Sequence, residues 1–147
     1  MVALSQQDGT GNAAREMFEA DVASRSLGIE LVEAGAGRAT ARMRVTEAML
    51  NGYRAMHGGY LFLLADTAFG CACNSYGPVT VAAGAEVSFI APAHAGDELT
   101  AIAAERTRYG RNGIYDVTVY REAPGGPVTL AEFRGRSRTI PREGEAT

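Results

Sequence analysis

The chain has 147 residues, 46% hydrophobic, 21% charged and 7% aromatic, which is the profile of one ordinary globular domain and not of a disordered chain. Fourteen basic residues against seventeen acidic ones give a net charge of −3, so no bulk basic face is available for nucleic acid; all fourteen are Arg, and the absence of Lys removes lysine Schiff bases and the P-loop. The two Cys, Cys71 and Cys73, and the two His, His57 and His94, are too few and too badly spaced for a disulfide framework or a zinc site of the usual kind.

Residues 1–11 are polar and glycine-containing and are expected to be loose, as are residues 141–147; residues 12–140 read as a single domain without repeat or linker. From Asn12 the spacing of Ala13, Ala14, Met17, Phe18, Val22 and Ala23 predicts one helix ending near 26–28. A short strand follows at 28–33, where the alternation breaks at Val32-Glu33, then the turn Ala34-Gly35-Ala36-Gly37. The next strand, 38–45, has Arg38, Thr40, Arg42 and Arg44 on one face and Ala39, Ala41, Met43 and Val45 on the other. Residues 46–56 are irregular and contain the turn dipeptide Asn51-Gly52. His57-Gly58-Gly59 then opens an apolar run, 60–74, too rich in Ala and Leu for a strand, which predicts a buried central helix closing near Gly77-Pro78. Beyond it the period becomes two, with long strands expected at 79–90, 98–108, 114–121 and 128–139, separated by Gly and Pro turns. The sum is an α+β domain with an antiparallel sheet. A helix that is apolar all round must be wrapped, and one sheet covers only part of it, so a second copy of the chain is the natural cover. No run approaches the ~18–20 apolar residues of a membrane span, the first residues lack the basic start and apolar run of a signal peptide, and free cysteines suggest the cytoplasm.

Asp66 sits inside Leu61-Phe62-Leu63-Leu64-Ala65-Asp66-Thr67-Ala68-Phe69, where an ionised carboxylate is costly unless it is hydrogen-bonded or reached by water. A structural carboxylate at a subunit contact and a catalytic one both fit that pattern. His57-Gly58-Gly59 opens the same helix, whose first N–H groups lack intrahelical partners and favour an anion; a plain glycine-rich helix start fits the residues equally. Gly58 and Asp66 are eight residues apart, about 12 Å along one helix at 1.5 Å per residue, and cannot meet on one carbonyl. Two antiparallel copies would bring the Gly58 end of one helix to Asp66 of the other, so a joint catalytic role requires a dimer. Cys71 and Cys73 have no His nearby in sequence and read as core. His94 lies in a turn after Pro92 and reads as solvated. Arg134, Arg136 and Arg138 alternate on one strand face and read as an outer, solvated face.

Met49-Leu50-Asn51-Gly52, His57-Gly58-Gly59, Leu64-Ala65-Asp66-Thr67-Ala68-Phe69 and Ala72-Cys73-Asn74-Ser75 closely resemble the hot-dog-fold acyl-CoA thioesterases, in the PaaI-type branch of phenylacetate degradation. The segments 89–97, Gly113-Ile114-Tyr115-Asp116 and Phe133-Arg134-Gly135 fit as well. The resemblance implies that helix 58–74 is wrapped by an antiparallel sheet, that two chains join sheets into a dimer with shared active sites, and that dimers pair into tetramers. It implies hydrolysis of CoA thioesters, notably of phenylacetate and its hydroxylated forms, to free acid and CoA without metal or organic cofactor. Asp66 matches the catalytic carboxylate, as general base or nucleophile. Gly58 matches the glycine whose N–H polarises the carbonyl, and Asn51 and His57 the polar residues beside the site. With a CoA ester as ligand, Arg108, Arg111 and Asn112 become candidates for its phosphates. Two positions depart from the pattern: Ala91 precedes Pro92 where Arg stands in relatives, and Ala82 replaces a Ser of distant ones. The rival readings are a hot-dog hydratase or dehydratase, using an intersubunit His57–Asp66 pair, and a non-catalytic acyl-CoA-binding regulator.

Overall fold

The computed structural model describes residues 12–142 and Gly144. Strands β1 (Glu30–Gly35), β2 (Arg38–Arg44), β3 (Thr80–Phe89), β4 (Glu98–Tyr109), β5 (Asn112–Arg121) and β6 (Val128–Thr139) form one antiparallel sheet in the order β1-β2-β4-β5-β6-β3. Three short helices or turns and one long helix complete the fold: α1 (Asn12–Glu19), α2 (Val22–Ser26), a 3-10 turn at Glu47–Met49 and α3 (Gly58–Cys73).

The sheet wraps α3 because its inner face is apolar and, under the helix, small. Ala39 and Ala41 of β2 and Ala101 and Ala103 of β4 are buried there, so the helix backbone lies close to the strands. Larger residues fill the flanks: Tyr115, Val117 and Val119 from β5 and Phe133 from β6. The Phe69 ring packs between Tyr115 and Phe133, each centroid 5.7 Å away. Gly135 makes that fit possible, since a Cβ there would stand 2.7 Å from Phe69 Cε1 and Cζ. The helix end is tied to β3 by the Asn74 carboxamide, which donates to the Gly70 carbonyl (2.8 Å) and the Thr80 carbonyl (2.9 Å) and accepts from the Thr80 N–H (2.9 Å).

Two expected boundaries change. The single helix expected from Asn12 to 26–28 is broken into α1 and α2. Asp21 has extended backbone and accepts from the Ser24 N–H at 3.0 Å, starting a new helix instead of continuing the old one. The first strand lies at Glu30–Gly35 and not at 28–33, because the Ile29 N–H is still engaged by the Ser24 carbonyl (3.1 Å) and pairing starts only at Glu30. The break in alternation at Val32-Glu33 is a bulge in the β1–β2 ladder. The four long strands fall within two residues of their expected ends. The looseness expected of 1–11 and of most of 141–147 lies outside the described residues. β3 is an edge strand, and its residues from Val81 onward are exposed or half-buried. Among the described residues no helix is long and apolar enough to cross a membrane.

Candidate active site

His57 and Gly58 open α3, and the Leu50–Met56 bridge holds the turn that carries Asn51 beside that helix start. The Asn51 Oδ1 accepts from the N–H groups of Tyr53 (2.9 Å) and Ala55 (3.2 Å), folding 51–55 into a tight turn. The His57 N–H donates to the Met49 carbonyl at 2.8 Å, which anchors the helix start to the preceding 3-10 turn. His57 is the N-cap: its Nδ1 accepts from the Gly59 N–H at 3.1 Å, which places the ring proton on Nε2, directed away from the cap. The Gly58 N–H, at the first helical position, has no partner among the described residues. The Phe89 ring closes over Gly58, with Cζ 3.1 Å from where a Cβ would stand, so only glycine fits beneath the ring as it lies.

Asp66 lies about 12 Å further along the same helix, at 1.5 Å per residue. Together with Phe62, Leu63 and Gly70 it forms a half-buried stripe on α3, in contrast to Leu64, Ala65, Ala68 and Phe69, which are fully covered. Its carboxylate has no hydrogen-bond or ion-pair partner among the described residues. Burial, and secondarily the negative charge of Asp21, hold its pKa above the ordinary aspartate range. That setting suits a proton acceptor better than a solvated carboxylate would.

Arg108, Arg111 and Asn112 sit apart from both groups, at the β4–β5 hairpin. They line a cavity of about 200 Å³ with Cys73, Tyr76 and Thr139 near the C-terminal end of α3. The Arg108 Nε pairs with Glu105 at 3.2 Å, and its guanidinium lies 3.7 Å above the Tyr76 ring. The Tyr76 hydroxyl donates to Glu105 at 2.7 Å, so the whole hairpin base is linked. Cys71 and Cys73 are free and buried, and burial pushes both thiols up to about 12, which keeps them protonated and poorly nucleophilic. His94 is exposed. Arg134 and Arg136 lie on the outer sheet face, paired with Asp116 (2.7 Å) and Glu86 (2.9 Å). Among the described residues no three His, Cys, Asp or Glu side chains gather as a metal set.

Two features near the site were not legible in the sequence. Phe89 over Gly58 is a contact across 31 positions and leaves no local mark. The break between α1 and α2 did have a signal, since Asp21 is of a type that favours the N-cap of a new helix. That its Ser24 reaches Thr67, beside Asp66, is a tertiary fact.

A family model of the thioesterase superfamily matches residues 53–127, a stretch that takes in the N-terminus of α3, Asp66 and the β4–β5 hairpin. The chain belongs to the thioesterase superfamily. Over 127 residues this thioesterase is 42% identical to the acyl-coenzyme A thioesterase PaaI of Escherichia coli K12, covering 86% of its own chain and 89% of the relative. The solved structure of the E. coli PaaI protein, from the phenylacetic acid degradation operon, superposes with a TM-score of 0.83 over 88% of this chain and 91% of that one. A variant of the phenylacetic acid degradation protein PaaI from Thermus thermophilus, 30% identical, superposes with a TM-score of 0.76 over 82% of this chain and 100% of that one. The helix wrapped by an antiparallel sheet is therefore the hot-dog thioesterase fold that the motifs implied.

Proposed function

We propose that this thioesterase hydrolyses acyl-CoA thioesters, with an acyl group of the phenylacetyl or hydroxyphenylacetyl type, to the free acid and CoA. The observation that carries the reading is the pair of groups on α3 without a partner among the described residues, the Asp66 carboxylate in a half-buried stripe and the Gly58 N–H at the helix start. In the proposed reaction the Gly58 N–H donates to the thioester carbonyl oxygen, and the helix terminus favours the charge that develops there. Asp66 takes a proton from water as the water oxygen attacks the carbonyl carbon; collapse of the tetrahedral oxyanion breaks the C–S bond and expels CoA thiolate. Asn51 and His57 flank the carbonyl site, and the His57 Nε2–H is the donor they offer to water or acyl group. No metal or organic cofactor takes part.

The ~12 Å between Gly58 and Asp66 requires a second chain. Edge strand β3 supports that arrangement: it is long, its outer edge is unpaired among the described residues, and Phe89 is 55% exposed. Pairing of two β3 edges about a two-fold axis lays the half-buried stripes of the two α3 helices against each other, Gly58 of one opposite Asp66 of the other; two dimers then make a tetramer. Arg108, Arg111 and Asn112 are assigned to the CoA phosphates, supported by the polar cavity at the hairpin. The unbridged cysteines are consistent with a cytoplasmic site of action. The similarity to an E. coli acyl-coenzyme A thioesterase, and the phenylacetic acid degradation operon of its structure, support the choice of ester.

A panel of CoA thioesters graded by acyl size, followed by release of free thiol, tests the reading. Turnover with a maximum at aryl-acetyl esters is expected. Conversion of an enoyl-CoA without thiol release would make the protein a hydratase, and binding without any turnover would make it a regulator.

A further inference from the structure

The helical break at Asp21 leads to a directed hydrogen-bond chain that ends beside Asp66. The Asp21 Oδ1 accepts from the Ser24 N–H at 3.0 Å, and its Oδ2 accepts from the Ser24 hydroxyl at 2.7 Å. A carboxylate can only accept, so the single Ser24 proton is spent on Asp21. The Ser24 oxygen, 2.8 Å from the Thr67 hydroxyl, must then be the acceptor there and Thr67 the donor. Ser24 is 2% exposed and Thr67 9%, so this chain runs in the interior, from α3 through α2 to the loop before it. Thr67 is the residue next to Asp66 in α3.

We propose that Asp21 is a positioning residue for Asp66: through Ser24 and Thr67 it fixes the turn of α3 that carries the carboxylate, and it stations a second negative charge beside that carboxylate. The proposal rests on Asp66 being the base named above. Both Asp21 oxygens accept from Ser24, whereas Asp66 has no donor among the described residues. The Asp21 charge is the second cause, after burial, that holds the Asp66 pKa high. The other titratable groups near this turn do not offset it. Cys71 and Cys73 are buried thiols, and Tyr115 is a buried phenol on the facing sheet, all three pushed upward by burial. Arg15 of α1 acts on Cys71, and its guanidinium donates to the Leu31 carbonyl. His57 is at the far helix end, about 13 Å away along the axis.

The test reads Asp66 directly. Aspartate carboxyl carbons are labelled with ¹³C and titrated by NMR, with Asp66→Asn identifying the Asp66 resonance. Asp21→Asn keeps a helix-capping side chain and removes the charge. It is expected to lower the Asp66 midpoint by about half a pH unit or more, and the acid limb of kcat/KM should move to lower pH with it. An unmoved midpoint overturns the proposal. If circular dichroism shows Asp21→Asn unfolded, Asp21→Ser, another capping residue, makes the same measurement. Ser24→Ala keeps both carboxylates and cuts the chain; kcat should fall severalfold at unchanged KM, and wild-type kcat would overturn the positioning role. Because the titration needs no turnover, a protein inactive on every thioester refutes the proposed reaction while the NMR result still decides the role of Asp21.

Discussion

A carboxylate in an apolar stripe is costly to ionise, and Asp66 carries that cost without a hydrogen-bond donor among the described residues. The consequences for rate and for stability have opposite signs. Asp66→Asn preserves shape and removes the proposed base, so kcat should fall by at least ~10² with KM little changed; near-normal kcat removes Asp66 from the reaction. For stability, the folded-state pKa lies above the unfolded one, so the folded protein binds the proton more tightly. Stability is therefore lost as pH rises from about 4, the ordinary aspartate value, through the folded-state pKa. At neutral pH Asp66→Asn should melt at the same temperature as wild type or higher, and any advantage should vanish below pH ~4; a lower melting temperature at pH 7 would show that Asp66 has a stabilising partner. The two cysteines make the contrasting case. Buried and held as thiols, they are core atoms. Activity of Cys71→Ala with Cys73→Ala should stay within roughly tenfold of wild type, allowing for packing loss, and should survive EDTA. Abolition by chelator with recovery on adding metal would reveal a metal site.

At the scale of elements, α3 and the four long strands were legible because each signal is local: an apolar run without alternation, then a change towards a period of two between Gly and Pro turns. The bulge in β1 was visible as broken alternation at Val32-Glu33. The α1–α2 break was masked because Val22 and Ala23 keep helical spacing across it, although both are exposed; the Asp21 cap decided the geometry and the apolar pattern did not. Of the candidate site, the residue types and their places on α3 could be read. The Phe89 ring over Gly58 and the link from Ser24 to Thr67 could not, since each joins residues far apart in sequence. The packing of α3 on the sheet offers its own test. Gly135→Ala sets a methyl 2.7 Å from the Phe69 ring, which is already held by Tyr115 and Phe133. Such overpacking should cost about 1–3 kcal/mol in denaturant unfolding; no loss would mean that α3 lifts freely from β6.

For the whole molecule, the distance along α3 decides the assembly. No single chain brings the Gly58 N–H and Asp66 onto one carbonyl, and the proposed second chain would meet the β3 edge, unpaired among the described residues, and the half-buried α3 stripe. Two variants separate the contributions. Asp66→Ala removes the proposed base. Gly58→Pro deletes the N–H and should still fold, because proline suits the first helical position and His57 before it already has the extended backbone (ψ 134°) that proline demands. The exposed Phe89 ring must shift slightly to admit it. In a mixed dimer one site takes Asp66 from the proline chain and the Gly58 N–H from the alanine chain and is intact, while the other site carries both lesions. The decisive measurement is the activity of the two inactive variants unfolded and refolded together, with mixed dimers verified by mass. Random pairing makes half the dimers mixed, each with one good site of two, so about a quarter of wild-type activity should return. If each variant is inactive alone, mixed dimers are present and no activity returns, the shared site is contradicted.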